Sequence, residues 1–274
     1  MQSCRSNYVD SSFGQLHFTE QGHGPVLLLL HQAPRSWDEF REFLPLMAPH
    51  RRVIAMDMVG YGASAALEAP HTIELYAQSA LELLDGLGIA SADVLGHHTG
   101  ALVALDLAAR MPHRVDHLIL SSCPYTGPDQ RKSRARAGGV DQVEQSEDGQ
   151  HLLQLWQLRL PHYPHPAAPL LDRFVHDALA HRGDPAEGHK ACGRYRIEDT
   201  IGSVNAPTLL LGASADTFAM PHMEALHNGL ENSVALHSAV VDGGTVAFFE
   251  DKAPEIAEAS LAFLTREQPL AETQ

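Results

Sequence analysis

Basic residues are scarce in this chain: 19 lysines and arginines stand against 34 aspartates and glutamates, for a formal net charge of −15 with histidine neutral. An acidic balance of that size argues against nucleic acid or an anionic membrane surface as a partner. Long apolar runs are also missing. The longest, Val26–Leu30, is far too short to cross a bilayer. Cysteine is sparse: Cys4, Cys123 and Cys192 are odd in number and far apart, so neither a disulfide framework nor a zinc spacing is visible. The segment Met1–Asp10 has no apolar stretch, so no signal peptide is expected and a cytoplasmic location is the default. Internal repeats and low-complexity tracts are absent as well. What is present suits a globular enzyme-sized unit. The chain has 274 residues, 44% of them hydrophobic, enough for one large core and a small insertion. Histidine is abundant, and the scattered His162, His165, His176, His181 and His189 read as solvated surface.

Short β-rich runs alternate with longer amphipathic stretches. Val26–His31 is a continuous apolar run of the kind buried on both faces of a sheet. Ser36–Met47 reads as a helix and Arg52–Asp57 as the next strand. Thr72 to Leu87 has helical spacing, with Thr72 as N-cap and Glu74 just inside. Ala92–Gly96 and Val115–Ser121 read as strands, with Gly100–Arg110 as a helix between them. From Gly127 to Asp199 no buried strand run appears. Helical stretches His151–Leu160 and Ala168–Ala180 are punctuated there by Pro161, Pro164, Pro166 and Pro169, which suggests a helical insertion. The rhythm returns with strands Pro207–Gly212 and Val234–Val241 and helices near Met223–Leu230 and over Ala253–Leu264. This alternation predicts a mostly parallel sheet with helices on both faces.

Five segments then carry a resemblance. HQAPRSWDEF at His31–Phe40 resembles an H-G-x-P loop, and MDMVGYGAS at Met56–Ser64 a D-x-x-G-x-G-x-S segment. GHHTG at Gly96–Gly100 falls where a nucleophile elbow, G-x-S-x-G, belongs. LGASADTF at Leu211–Phe218 resembles an acid-bearing loop, and DGGTVAFFED at Asp242–Asp251 a loop that normally reads G-G-H. In this order and context they resemble the α/β-hydrolase superfamily over nearly the whole chain. The resemblance implies an α/β fold with a mostly parallel eight-stranded sheet and flanking helices. Residues 1–126 and 200–274 would form the core domain, and 127–199 a helical cap.

The departures from that pattern are informative. Both elbow glycines are kept, so the strained turn should form. Its central residue, however, is His98 rather than a serine, cysteine or aspartate. Asp216 matches the acid, and Thr245 stands where the general-base histidine should be, so a Ser–His–Asp relay cannot operate. A one-residue slip making Thr99 the nucleophile would leave it without a base. His97, His222, His237 or a histidine of the insertion could replace that base, although packing or solvation fits them better, and His97 should point away from the elbow. The resemblance places an oxyanion hole at the backbone N–H groups of Ala33 and Thr99.

A near-neutral histidine can act as general acid or base. His98 oriented by Asp216 would suit proton abstraction beside a carbonyl, or activation of water for ester or lactone hydrolysis. Lyase, isomerase and cyclase reactions belong to the same chemistry, with a small carbonyl-containing metabolite as substrate and no cofactor. His31, Gln32, Trp37, Cys123, Trp156 and Thr245 are the candidate pocket residues. Each has a plainer role to set beside that: His31 as loop anchor, Gln32 as a tolerated loop residue, the tryptophans as core packing, Cys123 as an inert buried thiol. Asp57 should brace the turn ahead of Gly60. A metal shared by His97 and His98 is disfavoured because neighbours on a tight turn point apart. The alternative to an enzyme is a receptor-like pseudoenzyme whose pocket only holds a ligand. The expected partner is a small molecule, with a homodimer left open.

Overall fold

The computed structural model describes residues 4–128, 131, 140–180 and 184–266. Eight strands form one sheet: β1 (Arg5–Ser11), β2 (Gly14–Gln21), β3 (Val26–Leu30), β4 (Arg52–Met56), β5 (Ala92–His97), β6 (Val115–Ser121), β7 (Thr208–Ala213) and β8 (Leu236–Val241). Their order is β1-β2-β4-β3-β5-β6-β7-β8. Strands β3 to β8 run parallel, and β1 and β2 pair antiparallel at one edge.

Alternation within the central strands builds a core on each face. In β3, Leu28 and Leu30 join one apolar cluster while Leu27 and Leu29 join the other. Helices α2 (Ile73–Gly86) and α3 (Thr99–Arg110) cover the first face through Tyr76, Leu83, Leu102 and Leu105. Helices α1 (Leu44–Met47), α8 (Phe248–Asp251) and α9 (Ala253–Arg266) cover the second through Met47, Phe249, Ile256 and Leu264. Thr72 caps α2 as the sequence suggests, its side chain accepting the Leu75 N–H.

Two expectations need correction. The helix expected over Ser36–Met47 is broken into a 3-10 turn at Trp37–Phe40 and the separate α1. Pro45 explains the break: it has no N–H to give and is tolerated only in a helix's first turn. Strands β1 and β2 were not read as such. Val9 is the single fully buried residue of β1, and β2 mixes buried His17 and Thr19 with Leu16 and Phe18, so neither shows an apolar run.

Between β6 and β7 lie α4 (Gln150–Arg159), α5 (Ala168–Ala180) and α6 (Glu187–Arg194), followed by short 3-10 turns. Residues 129–130, 132–139 and 181–183 of the expected cap lie outside the described residues. This segment has its own apolar cluster of Leu155, Tyr163, Leu171, Phe174 and Ala178, into which Ala247 from the loop after β8 inserts. Buried and half-buried ion pairs tie it to the 3-10 turn after β3. Arg35 Nε donates to Asp177 Oδ2 at 2.9 Å, and Arg173 holds Asp38 and Glu42 at 2.6 and 2.9 Å. Helix α7 (Met223–Gly229) follows β7. Among the described residues no helix is long and apolar enough to cross a membrane.

Candidate active site

The carboxyl ends of β5, β6 and β7 converge at one place, because these strands are neighbours. At the end of β5 the chain turns sharply into α3, and His98 stands on that turn with φ 46° and ψ −110°. A non-glycine residue held there costs on the order of 1–3 kcal/mol. The turn closes because Gly96 and Gly100 carry no side chain. A Cβ on Gly96 would sit 2.1 Å from the Gly100 carbonyl oxygen, and one on Gly100 would sit 2.0 Å from that of Leu30. Gly100 therefore packs the start of α3 directly against the His31–Ala33 loop.

Across the β6 strand end, Asp216 comes to His98. His98 Nε2 lies 2.8 Å from Asp216 Oδ2, and the carboxylate is fully buried. At that distance the imidazole nitrogen and the carboxylate oxygen interact directly. The other carboxylate oxygen accepts the N–H groups of Phe218 and Ala219 at 3.0 and 3.2 Å. Burial pushes the Asp216 pKa up. The neighbouring His98, then His97 and the Phe218 N–H, outweigh that and hold it well below the usual carboxylate range. Asp216 is thus an anion throughout neutral pH.

His97 does not point away from His98. The rings meet edge to face at 4.7 Å, since the left-handed turn at His98 breaks the alternation that would have parted them. His97 Nδ1 is 3.0 Å from Ser121 Oγ and Nε2 is 3.4 Å from the Val246 carbonyl oxygen. A carbonyl can only accept, so the Val246 contact is a hydrogen bond in the Nε2-protonated tautomer, in which Ser121 Oγ donates to Nδ1. Burial, then repulsion by His98, keeps the His97 pKa well below its ordinary value, and the ring stays neutral.

The other expected residues divide. Ala33 and Thr99 lie side by side below α6. A Cβ on Gly188 would meet Ala33 Cβ and Tyr61 Oη, each at 2.3 Å, and Cys192 Sγ donates to Thr99 Oγ1 at 3.4 Å. Thr99 opens α3, where an α-helix leaves its N–H groups without intrahelical partners. His31 is an anchor. Its Nε2 accepts the Met58 N–H at 3.0 Å and its Nδ1 donates to the Gln32 carbonyl at 2.8 Å. The Gln32 amide nitrogen is engaged, donating to Glu39 Oε1 at 2.5 Å and to the Val246 carbonyl at 3.2 Å. Trp37 packs against the second-face core and Trp156 against the α4–α5 cluster, so neither joins His98. Cys123 is buried in the first-face core, and burial raises its thiol pKa far out of reactive range. Thr245 is half-buried, and its Oγ1 accepts the Ala247 N–H at 3.3 Å. Asp57 braces three segments, accepting the N–H groups of Trp37 and Ala63 and pairing with His17 at 2.8 Å.

Two residues escaped the sequence. Ser122 follows β6, between the His98 and Asp216 strand ends. It has φ 45° and a buried hydroxyl without a hydrogen-bond partner. A positive φ leaves no sequence signal at a serine. His162 is not free surface: it is half-buried with its ring 4.6 Å from that of Phe218, on the Asp216 loop. Among the described residues no three His, Cys, Asp or Glu side chains group as a metal ion would need.

Comparison with known proteins agrees with this fold. The curated relative "Bifunctional epoxide hydrolase 2" of Mus musculus is 38% identical over 121 residues, 42% of this chain and 21% of its own length. The "2-hydroxymuconate semialdehyde hydrolase" of Pseudomonas sp. (strain CF600) is 36% identical over 117 residues, 42% of this chain and 39% of its own. The matches thus span well under half of these curated relatives. Among solved structures, an epoxide hydrolase from an endophytic Streptomyces superposes with a TM-score of 0.77 at 23% identity, covering 97% of this chain and 96% of that one. The enol-lactonase of Burkholderia xenovorans LB400 gives 0.75 at 21% identity, covering 94% and 100%. The family model for the alpha/beta hydrolase fold matches residues 25–252, and the chain belongs to that family.

Proposed function

We propose that this chain is an enzyme in which His98, paired with Asp216, performs general acid–base chemistry on a small carbonyl-containing metabolite. The observation that carries this reading is the approach of the His98 imidazole to a buried, ionised Asp216 on a strained strand-to-helix turn. Relative to the family's G-x-S-x-G pattern, His98 takes the serine position and Thr245 that of the histidine. No acyl-enzyme then forms at the turn. In the hydrolytic version, His98 takes a proton from water as that water attacks an ester or lactone carbonyl. The N–H groups of Ala33 and Thr99 hold the oxyanion. The imidazolium, stabilised by Asp216, returns the proton to the departing oxygen. In the lyase or isomerase version His98 removes a proton beside the carbonyl and the same N–H groups hold the enolate. Residues 127–199 would cover the site as a cap, and Gly188 and Cys192 supply the part nearest the oxyanion groups. Esters and lactones come first because hydrolases, an enol-lactonase among them, stand among the similar proteins.

Turnover of dihydrocoumarin and phenyl acetate by wild type and His98→Ala tests this. The variant should lose activity by a factor on the order of 10²–10⁴, the usual contribution of an acid–base group. Fluorophosphonate should leave no adduct on the turn. A stoichiometric adduct at Thr99 would move the nucleophile there and overturn the reading.

A further inference from the structure

A buried chain of hydrogen bonds runs from the 3-10 turn after β3 to the ring beside His98. Glu39 is fully buried, and its two carboxylate oxygens accept the Gln32 backbone N–H at 2.9 Å and the Gln32 side-chain amide at 2.5 Å. The same amide nitrogen donates to the Val246 carbonyl at 3.2 Å. That carbonyl also lies 3.4 Å from His97 Nε2, and the His97 ring abuts His98. Gln32 stands where the H-G-x-P pattern has a glycine, which could supply no such amide.

Resting on the acid–base reading of His98, we propose that Glu39 is a positioning residue for the site. Acting through Gln32 and the Val246 carbonyl, it fixes the His97 ring against which His98 is held, and through the Gln32 N–H it holds the His31–Gln32 peptide, one residue before the Ala33 N–H. The backbone bond fixes the loop that presents the Ala33 N–H. The side-chain bond places the amide so that Val246 keeps the His97 proton on Nε2. That leaves His97 neutral and His98 as the member of the pair that takes a proton. Glu39 is faced by Glu250 of α8, by Arg35 of its own loop, and by Tyr163 from between β6 and β7. Arg35 is in turn bonded to Asp177 and Glu250 and lies 3.7 Å from Asp38. Burial, then Glu250, pushes the Glu39 carboxyl up to about 8, against the pull of Arg35 and the Gln32 bonds.

Nitrogen-15 NMR of the imidazole rings tests the proposal without any substrate. In wild type above about pH 8, where Glu39 is ionised and both its oxygens accept, His97 should be the Nε2-protonated tautomer. In folded Glu39→Gln, whose new amide sets donors against donors, His97 should populate both tautomers. If Glu39→Gln fails to fold, the double variant Gln32→Gly/Glu39→Gln removes both partners together, which is milder than stranding one, and should show the same change. An unchanged His97 tautomer balance in either folded variant overturns the proposal. So does failure of both variants to fold, which makes the pair a structural necessity. On dihydrocoumarin the folded variant should lose kcat with KM unchanged. Absence of wild-type turnover would count against the acid–base reading and leave the NMR result standing.

Discussion

The turn at His98 and the loop at Asp242–Ala247 stand on the same edge of one sheet, and they have diverged in opposite ways. The turn keeps both glycines and its left-handed backbone, and carries a histidine at its tip. The loop carries Thr245, and its chemistry is that of the backbone: the Val246 carbonyl accepts a hydrogen bond from the Gln32 amide and faces His97 Nε2. Geometry is thus retained where it is built from close backbone contacts. Gly96 and Gly100 admit no Cβ, whereas Thr245 is half-buried and its hydroxyl accepts the nearby Ala247 N–H. A loop position with little packed around it can change side chain far more freely than a turn wedged between two strands.

The largest effect should come from breaking the turn. Gly100→Ala would put a methyl 2.0 Å from the Leu30 carbonyl oxygen. Backbone cannot give way as a flexible side chain can, so we expect a loss above about 4 kcal/mol, read by urea unfolding. Near-normal stability would mean that the turn is looser than described. Next comes the chemistry on each side of the comparison. His98→Ser alone should remain unlabelled by fluorophosphonate, since Thr245 offers no base. His98→Ser/Thr245→His should become labelled at position 98, measured by mass spectrometry. Labelling of the single variant would show that another group activates the turn.

The same contrast explains what was legible in the sequence. Strands β3, β5, β6 and β7 are buried on both faces and announce themselves as apolar runs. β1, with Val9 alone fully buried, does not. The turn was legible through its glycines, and Asp216 through its motif. The Gln32–Glu39 pair was not. Seven residues is two helical turns, which in a helix would leave the pair about 10 Å apart on one face; the contact arises because the chain folds back through a 3-10 turn that Ser36 caps and Pro45 keeps separate from α1. Ser122 was equally hidden, because nothing in its identity announces a left-handed backbone or an unpartnered hydroxyl.

Ser122 gives the next prediction. Ser122→Gly relieves a positive φ and removes a buried hydroxyl with no partner, so it should stabilise the fold by about 1 kcal/mol, a rise of a few degrees in Tm by calorimetry. A fall in Tm would show that the hydroxyl holds structure. The smallest effect concerns pH. The Glu39 carboxyl has a folded pKa raised to about 8, above its unfolded value near 4, so the folded state binds the extra proton between the two. The Glu39 contribution to stability therefore declines as pH rises from about 4 to about 8. Urea midpoints of Glu39→Gln should fall less steeply over that window than those of wild type. Parallel curves would place the Glu39 ionisation elsewhere.

The central claim is that a histidine on the turn, held beside an ionised Asp216, is the working acid–base group. The pH dependence of kcat/KM on dihydrocoumarin, for wild type and His98→Ala side by side, tests it most directly. Wild type should rise with pH through one ionisation, and His98→Ala should lose that ionisation and run lower by a factor on the order of 10²–10⁴. A His98→Ala enzyme with full activity and an unchanged pH profile would contradict it.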